Sequence, residues 1–191
     1  MQGSPRLWFA TSNDNKFEEA KFVLENMGIH PRRLASKGQE LQSTDPSTIV
    51  ANAAEAAYRV FRKPLIVEDT GLFVVGLRGF PGTYASFVYK TIGVEGMLRL
   101  LEGVDARKAE FLSAVAYRDG STRTAIFTGK LEGTIAFHPA GLRGFGFDPI
   151  FVPREYSRTL GQMTLREKCS ISHRAIALRS LGAWLKQICD R

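Results

Sequence analysis

The 191-residue chain has no apolar run of transmembrane length, and its first residues lack the apolar core of a secretory signal. It has two cysteines, Cys169 and Cys189, at no spacing that suits a metal site or a disulfide framework. Its three histidines, His30, His138 and His173, exclude a histidine-rich metal centre. There is no internal repeat, no low-complexity linker and no polybasic arm, and the glycines of a P-loop are missing. The expectation is a soluble intracellular protein in a reducing, cytoplasmic compartment.

What is there suits one domain or one two-lobed domain. Apolar residues make up 44% of the chain, enough for a real core, and charged residues 24%. The net charge of +7 suits nucleic acid, a membrane surface or a polyanionic small molecule. The basic residues are scattered, so most of them read as solvated surface.

Hydrophobic periodicity predicts a strand at Leu7–Ala10 and a helix over roughly Asn15–Met27, with Phe17, Ala20, Leu24 and Met27 on one face and Gly28 at its end. Asp45 followed by Pro46 announces a second helix with Ile49, Ala53, Ala56 and Val60 as its buried stripe. Leu65–Val67 reads as a short strand stopping at Glu68–Asp69, and Leu72–Leu77 as another. Val94–Glu102 reads as a short helix ended by Gly103. Lys108–Tyr117 and Arg123–Phe137 read as long strands joined near Asp119–Gly120. The last helix is expected from Ser172 to about Cys189, with Ala177, Leu181, Trp184 and Ile188 inward. Interleaved helices and strands followed by a hairpin predict an α/β fold with a mixed sheet.

Four segments carry candidate chemistry. In Thr11–Lys16, a polar turn between strand and helix, Lys16 stands where the helix dipole disfavours a cation. The turn is either an ordinary cap or a phosphate site in which an anion removes the conflict. Glu68 and Asp69 end a predicted strand, where α/β sheets bind ligands, and carboxylates suit Mg²⁺; the alternative is a capped strand end with solvated acids. The glycines and Pro81 that follow mark an ordered loop over a site or at an interface. Phe145 and Phe147 lie among glycines at Gly141–Pro153, either as faces for stacking a base or as core plugs. In Glu167–Leu178, Ser172 suits an N-cap, yet His173 and Arg174 follow it, with Lys168 just before. Two such conflicts in one chain favour an anionic or acceptor-rich ligand between two helix starts.

The strings "ATSNDNKFEEA", "VEDTGLFV" with "GFPGTYASFVY", "GFGFDPIFVP" and "EKCSISHRAIAL" occur in an order that resembles the inosine triphosphate pyrophosphatase family. The resemblance spans nearly the whole chain and is specific as an ordered set. It implies a long mixed β-sheet with flanking helices forming two lobes around a central cleft, residues 1–191 being one such domain. It implies Mg²⁺-dependent hydrolysis of non-standard purine nucleoside triphosphates (ITP, dITP, XTP) to monophosphate and pyrophosphate by a cytoplasmic homodimer, with no nucleic-acid or membrane partner. Residue by residue, Thr11, Ser12, Asn13, Asp14, Asn15 and Lys16 match the triphosphate-binding segment. Glu40 matches a metal-binding glutamate, Asp69 matches the acid described as base or metal ligand, and Thr70 matches a substrate contact. Phe145, Gly146, Phe147 and Asp148 match the base-binding loop, and Lys168, His173 and Arg174 match residues reaching the base. The chain departs at Ala56, where many members carry a lysine; that charge is absent or comes from elsewhere, Arg59 being the candidate.

Two other classes compete. A basic nucleic-acid-binding protein requires a continuous cationic face, against which stand the acids Glu40, Glu68 and Asp69. A related nucleotide pyrophosphatase with another base preference is the third.

Overall fold

The computed structural model describes residues 7–36, 41–120 and 124–189. β1 (Leu7–Ala10) leads into α1 (Asp14–Glu25), β2 (Pro31–Leu34) and α2 (Pro46–Phe61). β3 (Leu65–Val74), β4 (Pro81–Gly82), α3 (Ala85–Leu100), the long strands β5 (Lys108–Arg118) and β6 (Ala125–Ile135), and β7 (Phe151–Pro153) follow. α4 (Leu165–Ile171) and α5 (His173–Cys189) close the chain. Among the described residues the strands form a seven-stranded mixed sheet in the order β2-β1-β3-β5-β6-β7, with β4 paired to β3. β1 runs parallel to β2 and β3, whereas β6 and β7 are antiparallel.

The chain divides into two compact units. The first comprises Met1–Asp69, Ser113–Gly129 and His173–Arg191, and the second Thr70–Leu112 and Lys130–Ser172. In the first, Val50, Ala54 and Ala57 of α2 pack with Leu65, Ala114 and Ala116, and α1 packs on α5. Gly129 permits the close approach of α5 to β6: a Cβ there would stand 2.0 Å from the His173 carbonyl oxygen. In the second, Leu72, Val74, Met97, Ile135, Ile150 and Phe151 form the centre of a separate core.

The α2 cap is as expected. Asp45 accepts from the amides of Ser47 and Thr48, and Pro46 opens the helix. Its buried stripe, however, is Ile49, Val50, Ala54 and Ala57; Ala56 is exposed, Ala53 half-buried and Val60 74% exposed. Alanine and β-branched residues lie on both sides of this helix, so its apolar pattern left the phase open. Leu65–Val67 and Leu72–Val74 are one continuous strand, and Val75–Leu77 is a 3-10 turn. Glu68 and Asp69 therefore lie within β3 and do not end it. α3 starts nine residues before the predicted Val94; Gly93, at φ 67° and ψ −166°, kinks it. Its aromatic start is not buried: Phe80, Tyr84, Phe87 and Tyr89 are 42 to 66% exposed. β2 and α4 have no counterpart among the predicted elements. On α5, Ala177 and Leu181 are buried, Trp184 packs against Tyr117 and Phe127, and Ile188 is 40% exposed.

Candidate active site

In the first unit the site is built on the junction of β1 and α1. Asn13, extended at φ −94° and ψ 113°, caps α1: its Oδ1 accepts from the Lys16 amide at 3.1 Å, and its own amide donates to Thr11 Oγ1 at 3.1 Å. Thr11 is buried, Asn13 is half-buried, and Ser12, Asp14 and Asn15 are exposed. Arg33 of β2 braces the turn. Its Nε donates to the Thr11 carbonyl at 3.2 Å, and its Nη1 pairs with Asp14.

The Lys16 side chain reaches back to β3. Its Nζ lies 3.0 Å from Glu68 Oε2 and 3.6 Å from Asp69 Oδ1, and donates to the Glu68 carbonyl at 3.3 Å. Alternation along a strand predicts that only one of two adjacent carboxylates faces a given point. Here both converge on one ammonium, because Lys16 spans the edge between them. Arg174 is 2% exposed, with Nη1 on Glu19 and Nε 3.1 Å from Glu68 Oε1. Glu68 Oε1 also accepts from Ser113 Oγ at 2.7 Å. The two cations set at helix starts are thus neutralised by carboxylates of the chain itself. His173 is buried at the start of α5, and Thr70 is half-buried beside Asp69 in β3.

A second group of predicted residues assembles in the second unit. Asp148 is 3% exposed, and its Oδ2 accepts from the Phe145 amide at 2.7 Å and lies 2.5 Å from Lys168 Nζ. The same ammonium stands 4.7 Å from the centre of the half-buried Phe145 ring. The loop wraps Asp148 so closely that a Cβ on Gly144, at φ +73°, would meet Asp148 Oδ2 at 2.1 Å. Gly146 is half-buried at φ +62°. Phe147 does not offer a stacking face: it is 3% exposed in the second core, edge-on to Tyr89 at 5.6 Å. Lys168 sits on α4, whose Thr164–Glu167 capping box fixes its start. The Thr164 amide and the Arg158 guanidinium hold the Glu167 carboxyl down at about 2.

Lys168 belongs to the second unit and His173 and Arg174 to the first. Glu40 lies outside the described residues. Among those described, no cluster of three or more His, Cys, Asp or Glu side chains forms a metal site, and no helix is long and apolar enough to cross a membrane. Arg59, the candidate substitute for a lysine at Ala56, pairs with Glu55 at 3.1 Å. Sequence reasoning missed Glu19, Arg33 and Ser113. Glu19 was legible as an acid three residues after Lys16 on the face that carries Ala20; Arg33 and Ser113 carry no local signal.

Chemically, the first group offers an ammonium, two carboxylates and the amides of a helix start, a set suited to phosphate oxygens and a hard cation. The second offers an aromatic face, an ammonium and an acceptor, a set suited to a flat polar ring. Such an α/β protein has the makings of a nucleotide hydrolase. The profile of the Ham1 family matches residues 7–184, and the chain belongs to that family. It is 45% identical over 181 residues to the dITP/XTP pyrophosphatase of Methanopyrus kandleri, covering 95% of this chain and 96% of that one. It is 45% identical over 182 residues to the Thermococcus kodakarensis protein of the same name, covering 95% and 98%. The structure of the Staphylococcus aureus Ham1 protein matches 95% of this chain and 98% of its own, with a TM-score of 0.81 at 28% identity.

Proposed function

We propose that this chain hydrolyses non-standard purine nucleoside triphosphates, ITP, dITP and XTP, to the monophosphate and pyrophosphate, clearing them from the cytoplasmic nucleotide pool. The observation that carries the reading is the convergence of Lys16 on Glu68 and Asp69, in a chain whose relatives bear the name dITP/XTP pyrophosphatase. In this reading residues 1–191 work as one two-lobed catalytic domain. No nucleic acid or membrane enters it.

Thr11 to Lys16 receive the triphosphate tail, with the amides at the start of α1 and the Lys16 ammonium meeting its oxygens, and Thr70 contacts the substrate beside them. Water attacks the α-phosphorus, the bond to the bridging oxygen breaks, and pyrophosphate leaves. Asp69 orients that water and accepts its proton. The oxygens of Glu68 and Asp69 suit Mg²⁺ by their chemistry, and Glu40 joins them by resemblance. Bound there, Mg²⁺ supplies positive charge to the phosphoryl oxygens. Lys16 stabilises the same charge from the helix start. At the base end, Phe145 gives a stacking face, Phe147 backs the loop from the core, and Gly146 and Asp148 shape it. Lys168, His173 and Arg174 supply donors to a 6-oxo group, which adenine lacks.

The test is Mg²⁺-dependent pyrophosphate release from ITP, XTP, dITP, GTP, ATP and dTTP. The first three are expected to turn over far faster than the rest. Release of orthophosphate would overturn attack at the α-phosphorus. The exposed Phe80, Tyr84, Phe87 and Tyr89 supply the apolar face for a homodimer. A monomeric mass in sedimentation at micromolar protein would overturn that assembly.

A further inference from the structure

We infer that Ser113 is a positioning residue for the Glu68 carboxylate, an inference that rests on the pyrophosphatase reading of this site. Ser113 is fully buried in β5. The residues that follow it, Ala114, Val115 and Ala116, are equally buried and apolar. A hydroxyl in such a strand is unfavourable unless it is hydrogen-bonded, and alanine would fit the same space. The hydroxyl donates to Glu68 Oε1 at 2.7 Å, joining two neighbouring strands of the sheet through their side chains.

The two Glu68 oxygens have different surroundings. Oε1 faces Ser113 Oγ and Arg174 Nε, at 2.7 and 3.1 Å. Oε2 faces Lys16 Nζ at 3.0 Å, beside Asp69. A carboxylate held through one oxygen keeps the other pointed at the cation side of the site. The Arg174 guanidinium is shared between Glu68 and Glu19. Ser113 completes the grip, with the directionality that an ion pair lacks. Groups that orient a ligating side chain in this way govern cation affinity without touching the cation.

The test compares Ser113→Ala and Ser113→Cys with the wild-type chain. Cysteine keeps the side-chain size and weakens the donor. Three quantities are measured: Mn²⁺ binding in the absence of nucleotide, by electron paramagnetic resonance of the free ion; the Mg²⁺ concentration for half-maximal ITP hydrolysis; and KM for ITP at saturating Mg²⁺. Ser113→Ala is expected to raise the Mn²⁺ dissociation constant and the half-maximal Mg²⁺ concentration about tenfold, with KM little changed. Ser113→Cys is expected to fall between. A purely structural serine lowers the melting temperature and leaves both metal quantities unchanged, and that result overturns the inference. If the alanine variant does not fold, the cysteine variant decides by the same two quantities. Failure of the wild-type chain to release pyrophosphate defeats the functional reading instead, and the Mn²⁺ comparison still decides the role of Ser113 toward Glu68.

Discussion

Arg174 and Glu19, 155 residues apart in the chain, form a buried ion pair, and Arg174 reaches Glu68 as well. An exposed arginine at a helix start would cost a few tenths of a kcal/mol, and its removal would stabilise the helix. The buried arrangement reverses that sign. Arg174→Ala removes a buried cation from beside Glu19 and Glu68 and is expected to cost about 3 kcal/mol of stability. Urea unfolding checks this; an unchanged midpoint would refute it. The ratio of kcat/KM for ITP over ATP, measured on the folded fraction, separates base recognition from a general effect. A falling ratio places Arg174 at the base.

Asp69→Asn is expected to remove most turnover with the melting temperature little changed. The side chain is 26% exposed and stands at 3.6 Å from Lys16, so its charge matters more to chemistry than to packing. Near-normal turnover in the folded variant would transfer the role to Glu68.

Phe145 and Phe147 are expected to respond oppositely to truncation. Phe147→Ala opens a void in the second core and should cost about 3–5 kcal/mol of stability. Phe145→Ala should leave the melting temperature nearly unchanged and raise KM for ITP. Equal effects of the two in both assays would contradict the division between core ring and stacking ring.

Glu167 should set an acid limit on α4. Its carboxyl sits at about 2 instead of the ordinary 4.5, held chiefly by the Thr164 amide and then by the Arg158 side chain. A depressed folded value means the stabilisation is complete above the unfolded value and disappears as pH falls through the folded one. Melting temperatures of wild type and Glu167→Gln should therefore differ at neutral pH and converge between pH ~5 and ~2. A constant gap across that window would show that the carboxylate charge plays no part.

Elements whose signals lie within a few residues were legible. Asp45–Pro46 caps α2 as its chemistry requires, Leu7–Ala10 is β1 to the residue, and the two long strands are β5 and β6, neighbours in the sheet. β2 was not legible, because "PRRL" has a proline and two arginines and becomes a strand through pairing with β1. Nor was the continuity of β3, since Glu68, Asp69 and Gly71 carry low strand propensity and only the sheet holds them extended.

The site divides along the same line. The amino-acid order alone determined that a polar turn over Thr11–Lys16 opens a helix bearing Lys16, that Ser172 precedes one bearing Arg174, and that Glu68 and Asp69 stand together, because capping and adjacency are local. Which charge meets which was decided by the tertiary structure. Lys16 stands within ion-pair distance of both acids of β3, Arg174 bridges Glu19 and Glu68, and Ser113 grips the oxygen turned away from Lys16. Those partners are separated by 45 to 155 residues. No periodicity encodes such pairings; they exist because a charge buried by the fold is stable only beside an opposite charge or a hydrogen-bond donor.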